Sequence, residues 1–326
     1  MIDTTQVHRK SIIIDGLNAS NLAQWPAIER LQAGGLTAVH LTIAAWHTPT
    51  ETLHQLARLL ALLDQYSSEL MPVQIAHDIV IAKELGRVGV IAGFQGTEPI
   101  AEDLRWLSRY YRLGVRVIQL TYNFRNRVGA GCYEPDDGGL TPFGRDVVAE
   151  MNRLGMLIDL SHCGLETARD AIELSQQPVA LTHANARAVC ANLRNKTDEV
   201  LKAVAERGGV IGAAAFGPLL TESGQATLDD YVRMIDYLVN LVGIDHVGLG
   251  PDFMENLAPE VTAQVLNGLS ADARQRFANV PPTAQFESAA AFGNITAALL
   301  QRGYPRNAAE QLLGGNWLRL YRQVWK

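Results

Sequence analysis

Two histidines directly end apolar runs in this chain, His162 in "MLIDLSHCG" and His183 in "VALTHANA". Neutral imidazole is a common ligand for zinc, and two imidazoles from neighbouring strands with a carboxylate elsewhere make most of a zinc site. Asp252, just after "HVGLG", is a carboxylate in the matching position of a later run. The other polar residues at the ends of apolar runs are Asp15, Asn18, His47, Gln95, Tyr122 and Asn123. A lone histidine at such a place is more often a hydrogen-bonded structural residue, but two in succession followed by Asp252 favour ligation. The residues alone point to a barrel hydrolase in which a metal is an option.

Those side chains need a scaffold that brings run ends together. Eight short apolar runs recur along the chain, at 11–15, 36–44, 88–94, 115–121, 155–160, 178–183, 208–216 and 245–251. Each is nearly continuous in apolar residues, as in a parallel strand covered on both faces. Between them lie stretches such as "ETLHQLARLLALLDQYSSEL" and "TLDDYVRMIDYLVNLVG", whose apolar residues recur every three or four positions, as a helix with one buried stripe requires. Eight such units in succession predict an α/β fold, a TIM (β/α)8 barrel, with a doubly wound open sheet as the competing topology. In the barrel, chemistry belongs at the C-terminal ends of the strands. No linker splits the chain, so one domain over 1–326 is expected, with helices from about 254 to 326 packed on the barrel.

Composition narrows the partners. The net charge of −6 offers no basic field for nucleic acid. The N-terminus lacks a signal-peptide pattern and no run is long enough to span a membrane, so no membrane association is expected. Three scattered cysteines, Cys132, Cys163 and Cys190, have no CxxC spacing and fit inert thiols in a reducing, cytoplasmic setting.

The segments "GGLTPFGRDVVAEMNRLGMLIDLSHCG", "PVALTHANARAVCANLRNKTDEVL", "LVGIDHVGLGPDF" and "LLGGNWLRLYRQVW" closely resemble the membrane (renal) dipeptidase family of zinc peptidases, in order, from about residue 11 to the end. The resemblance implies a metal-dependent-hydrolase barrel in which two zinc ions, bridged by a glutamate, cleave dipeptides with a metal-activated water. It places His162 and His183 at the second zinc site and Asp252 at the first. It also makes Arg194, in "NLRN", the residue that holds the substrate carboxylate, a role suited to a guanidinium.

The departures from the family pattern are concentrated in the metal ligands. Where the family has a His-x-Asp pair in a frame like "DGHND", this chain reads "DGLNA", with Leu17 and Ala19. The bridging glutamate falls on Gln95, and a family histidine after the fourth strand falls on Tyr122. Of three anionic ligands only Asp252 remains, so at most one zinc is expected, held by His162 and His183 with Asp252 or, weakly, Gln95. Asp252 is then a ligand or the general base. Tyr122 orients substrate or donates to a developing oxyanion, with a packed phenol as the plainer alternative. Glu98 and His47 are candidate substitutes in nearby loops, while His40 and His77 read as structural. The expected function is a dipeptidase-like metallohydrolase acting on a small substrate with a carboxylate, with a homodimer implied by the family. The competing expectation is a metal-free barrel that binds a small carboxylate or amide ligand.

Overall fold

The apolar runs form one parallel sheet in the computed structural model, which describes residues 3–23, 25–269, 274–275, 277 and 279–326. Its strands are β1 (Ile14–Asn18), β2 (Ala38–Ala44), β3 (Leu70–Pro72), β4 (Val88–Phe94), β5 (Val115–Gln119), β6 (Leu157–Asp159), β7 (Ala180–Leu181), β8 (Val210–Ala213) and β9 (Val247–Leu249). All except β3 pair in the order β1-β2-β4-β5-β6-β7-β8-β9. The ends meet where Asn18 bridges Phe253 and the Ala19 amide donates to the Phe253 carbonyl at 2.8 Å. The result is a nearly closed eight-stranded parallel barrel, the TIM architecture that the alternating pattern predicts.

Two details differ from expectation. β3 is an additional strand: it borders Val88–Val90 of β4, while β5 takes over the same edge at Ala92–Phe94. β1 starts later than the apolar run and continues through Gly16 to Asn18, so the "DGLN" stretch is strand rather than the turn after it.

The helices form as their patterning dictates. The helix Pro49–Gln65 begins in a capping box between Thr48 and Glu51, and Leu228–Val242 begins in one between Thr227 and Asp230. Such a cap contributes about 1 kcal/mol. Leu56, Leu59 and Leu63 bury the first helix's stripe against the barrel.

The C-terminal helix Asn316–Val324 closes the lower end. Trp317, Leu320 and Tyr321 pack with Ile14, Ala38, Leu157, Ala180 and Val210, residues at or near the starts of five strands. The Trp317 indole donates to the Leu249 carbonyl at 3.0 Å. A Cβ added to Gly16 or Gly248 would lie only 2.6 or 2.5 Å from indole atoms, so the ring occupies space that side chains at these positions would fill. With the floor filled, the open end is the one that carries the strand C-termini. Among the described residues, no helix is long and apolar enough to cross a membrane.

Candidate active site

The loops after β6 and β7 present His162 and His183 to each other, with their Nε2 atoms 2.9 Å apart. His162 is 7% and His183 0% exposed, so each ring's other nitrogen needs a partner in the protein. His162 Nδ1 meets the Asn123 side-chain oxygen at 2.7 Å, and His183 Nδ1 meets Thr182 Oγ1 at 2.8 Å. Thr182 Oγ1 donates its own proton to Asp159 Oδ2 at 2.6 Å, which leaves a lone pair to accept from His183. Asp159 is fixed in turn by the amides of Ser161 and Thr182 and by the Ser161 hydroxyl, all on Oδ1.

The acceptors therefore place a proton on Nδ1 of both rings. Two bare Nε2 lone pairs then face one another, an arrangement that repels unless a cation lies between them. Burial, with Arg194 next in size, holds both imidazoles well below their ordinary pKa of 6.5 and keeps them neutral. Two Zn–N bonds of about 2.0–2.1 Å at a tetrahedral angle separate their nitrogens by roughly 3.3 Å, so a small outward shift admits the ion. The histidine half of the site fits zinc.

Tyr122 covers this pair. Its ring stacks on His162 at 4.1 Å and 18°, and Trp46 meets it edge-on at 4.7 Å. Burial pushes the phenol well above its ordinary range, so Tyr122 stays protonated and able to donate. Its neighbour Asn123, which orients His162, has a positive φ of 62°, and Asp252 one of 65°. Left-handed backbone in non-glycine residues is uncommon and clusters at functional sites. Beside Tyr122 opens a cleft of about 260 Å³ bordered by Trp46, Glu98, Phe124, Arg125 and Asn267.

Arg194 is buried beneath the two loops, donating from one terminal nitrogen to the Ser161 carbonyl and from the other to that of His183 at 2.7 Å. Three of its five N–H groups are left over. The half-buried Asp252 carboxyl is pushed up to about 7 by burial, with Arg194 pulling the other way. Among the described residues nothing donates a hydrogen bond to it, and its amide donates to the Leu17 carbonyl.

The opposite side of the mouth has no such ligands. Leu17 is fully buried, and the strand end around it is held by Asp15, which accepts from the Leu17 amide and from Asn18 Nδ2 at 3.1 and 2.9 Å. Gln95 donates its amide to Thr42 Oγ1 at 2.8 Å. Among the described residues no three His, Cys, Asp or Glu side chains form a group able to hold a metal. Of the possible substitutes, His47 accepts from the Ala45 amide, and Glu98 accepts from Asn126 with its second oxygen buried and unpartnered. His40 lies inside the barrel with Nδ1 on the Gly16 carbonyl, and His77 is exposed.

Sequence reasoning assigned nothing to Asp159, Ser161 or Thr182. Asp159 was legible as an acid at a strand end, whereas the hydroxyls carry no signal apart from their position beside the histidines.

The two imidazoles converge at the C-terminal ends of the strands, where a parallel barrel carries its chemistry. The chain belongs to the membrane dipeptidase family, peptidase family M19, whose model matches residues 3–270. Dipeptidase tcpJ of Claviceps purpurea is 31% identical over 278 residues, which cover 84% of this chain and 60% of that protein, so the chain spans under two thirds of this relative's length. An amidohydrolase from Pseudomonas aeruginosa is 35% identical, with a TM-score of 0.94 over 99% of both chains. A metallo peptidase from Rhodobacter sphaeroides, solved with a phosphinate mimic of the dipeptide L-Ala-D-Ala, shares the fold at 23% identity, with a TM-score of 0.82 over 97% of this chain and 100% of that one.

Proposed function

We propose that this protein is a dipeptidase-like amide hydrolase that works with one zinc ion between His162 and His183. The observation that carries this reading is the approach of the two Nε2 atoms to 2.9 Å, with both Nδ1 atoms bonded to acceptors. When bound there, the ion supplies a Lewis acid for the scissile carbonyl and for water. Asp252, with a pKa near 7, takes up and returns a proton close to neutral pH. Tyr122, kept protonated, donates to the oxygen on which negative charge develops. Arg194 directs its unspent N–H groups to a substrate carboxylate, and Gln95 has at most an auxiliary part in holding the ion. Trp46 and Tyr122 shield the reacting atoms from bulk water.

The test is zinc content and turnover on the same preparation, with L-Ala-D-Ala and a dipeptide panel as substrates. One equivalent of zinc is expected, with hydrolysis lost on chelation and restored by zinc. Well under one equivalent, with no gain in hydrolysis on adding zinc, overturns the reading.

A second reading is favoured by the packing of Leu17 and by the Gln95 amide being spent on Thr42. In it the barrel has given up metal and binds a small carboxylate or amide ligand. It requires ligand binding that survives both chelators and His162→Ala. We also read the chain as one domain acting in the cytoplasm, in keeping with its three free cysteines, and as a homodimer, which sedimentation would test.

A further inference from the structure

Arg194 and Lys196 come from one three-residue stretch, and both are buried, Lys196 completely. Arg194 donates to the carbonyls of Ser161 and His183, and Lys196 Nζ donates to the carbonyl of Cys163. These carbonyls belong to the residue before His162, the residue after it, and His183 itself. The His162 carbonyl accepts from the Cys132 amide at 2.8 Å, so every carbonyl from 161 to 163 is taken, two of them by buried cations. The stretch that supplies the cations is itself fixed. Asn195 donates to the carbonyls of Cys190 and Leu219 at 2.9 and 3.0 Å, and the Lys196 amide to that of Asn185 at 2.9 Å.

Among the described residues, neither cation makes an ion pair within 4.0 Å. Burying an ammonium without an anionic partner costs several kcal/mol, and an apolar side chain of similar length would fill the space without that penalty. Burial lowers the Lys196 pKa to about 8, which leaves it mostly charged at neutral pH. A destabilising charge kept at zero exposure, with its one hydrogen bond beside a ligand histidine, calls for a role at that histidine.

We propose that Lys196 is a positioning residue: together with Arg194 it clamps the backbone on both sides of His162, so that the His162 and His183 Nε2 atoms meet at one point. This inference rests on the zinc reading above. The clamp acts through carbonyls and needs no contact with substrate.

The test compares Lys196→Met and Lys196→Gln with the unaltered full-length protein. Met removes the donor and the charge, whereas Gln keeps an N–H for the Cys163 carbonyl. Expected for Lys196→Met is a melting temperature at or above that of the parent. Its affinity for zinc alone should fall about 10- to 100-fold, the usual effect of removing a group that orients a ligand. In the metal-free protein, the imidazole nitrogen NMR signals of His162 should lose their single Nδ1–H pattern. Lys196→Gln should recover part of the zinc affinity.

Unchanged zinc affinity and unchanged His162 signals in Lys196→Met overturn the clamp, and so does a lower melting temperature with both left intact. If Lys196→Met does not fold, the same two measurements on Lys196→Gln decide. A parent protein that binds no zinc defeats the functional reading instead, and the metal-free His162 signals still decide the clamp.

Discussion

The two sides of the barrel mouth have been treated differently. On the β6–β7 side, the Asn123 oxygen and the Thr182 hydroxyl, which itself donates to Asp159, orient the two imidazoles, while the Ser161 hydroxyl, Arg194 and Lys196 hold the backbone around them. On the β1–β4 side, Asp15 holds the strand end around Asn18, and the side chains there are Leu17, Ala19 and the Gln95 amide, which is bonded to Thr42. The strand end is held by its own hydrogen bonds, so it keeps its form with Leu17 and Ala19 in place of any metal ligand. The histidine side keeps its geometry because both rings are hydrogen-bonded from behind.

On the one-zinc reading, replacing His162 by Ala removes one of the two imidazole ligands, and hydrolysis should drop by about 10³-fold or more, within the range for loss of a catalytic group. Steady-state kinetics with saturating zinc check this, and near-normal turnover would mean that the histidine side is not the reactive one. Thr182→Val preserves shape but removes the hydroxyl between Asp159 and His183, so zinc affinity should weaken about 10- to 100-fold, read by competition with a chelating dye. Gln95→Glu replaces an amide by a carboxylate at the end of β4. It should tighten zinc about tenfold, equivalent to ~1.4 kcal/mol, and a titration showing no change would place Gln95 outside the metal's reach.

The smallest effect separates the sides by pH. His162 and His183 stay neutral well below 6.5 in the folded state, so under acid the unfolded chain takes up protons that the folded chain refuses. Their contribution is flat above pH 6.5 and lost as pH falls below it. Asp15 runs the other way. Burial raises its pKa from 3.8 to about 8, so its contribution is present in acid and lost as pH climbs through that window. Melting curves of Asp15→Asn should gain a few degrees relative to the parent between pH 5 and pH 8. A constant difference would show that Asp15 is ionised in the folded protein.

Much of this was legible in the sequence because burial on both faces leaves an unbroken apolar run. All eight such runs are strands, and β3 escaped because only Leu70 of its three residues is buried. The histidine pair was legible as polar residues ending apolar runs. Thr182 was not, since a threonine before a histidine says nothing until Asp159, 23 residues earlier, lies beneath it. Lys196 in "NLRNKTDE" carries no signal of its place in the fold, yet it is fully buried.

The tryptophan that fills the barrel floor also dictates a timetable. Gly16 leaves the ribosome 301 residues before Trp317, the side chain that will sit against it. Until residue 317 has been made, the side chain that packs against Gly16 and Gly248 does not exist. Filling of the barrel floor is therefore a late event in synthesis that joins residues far apart in the chain.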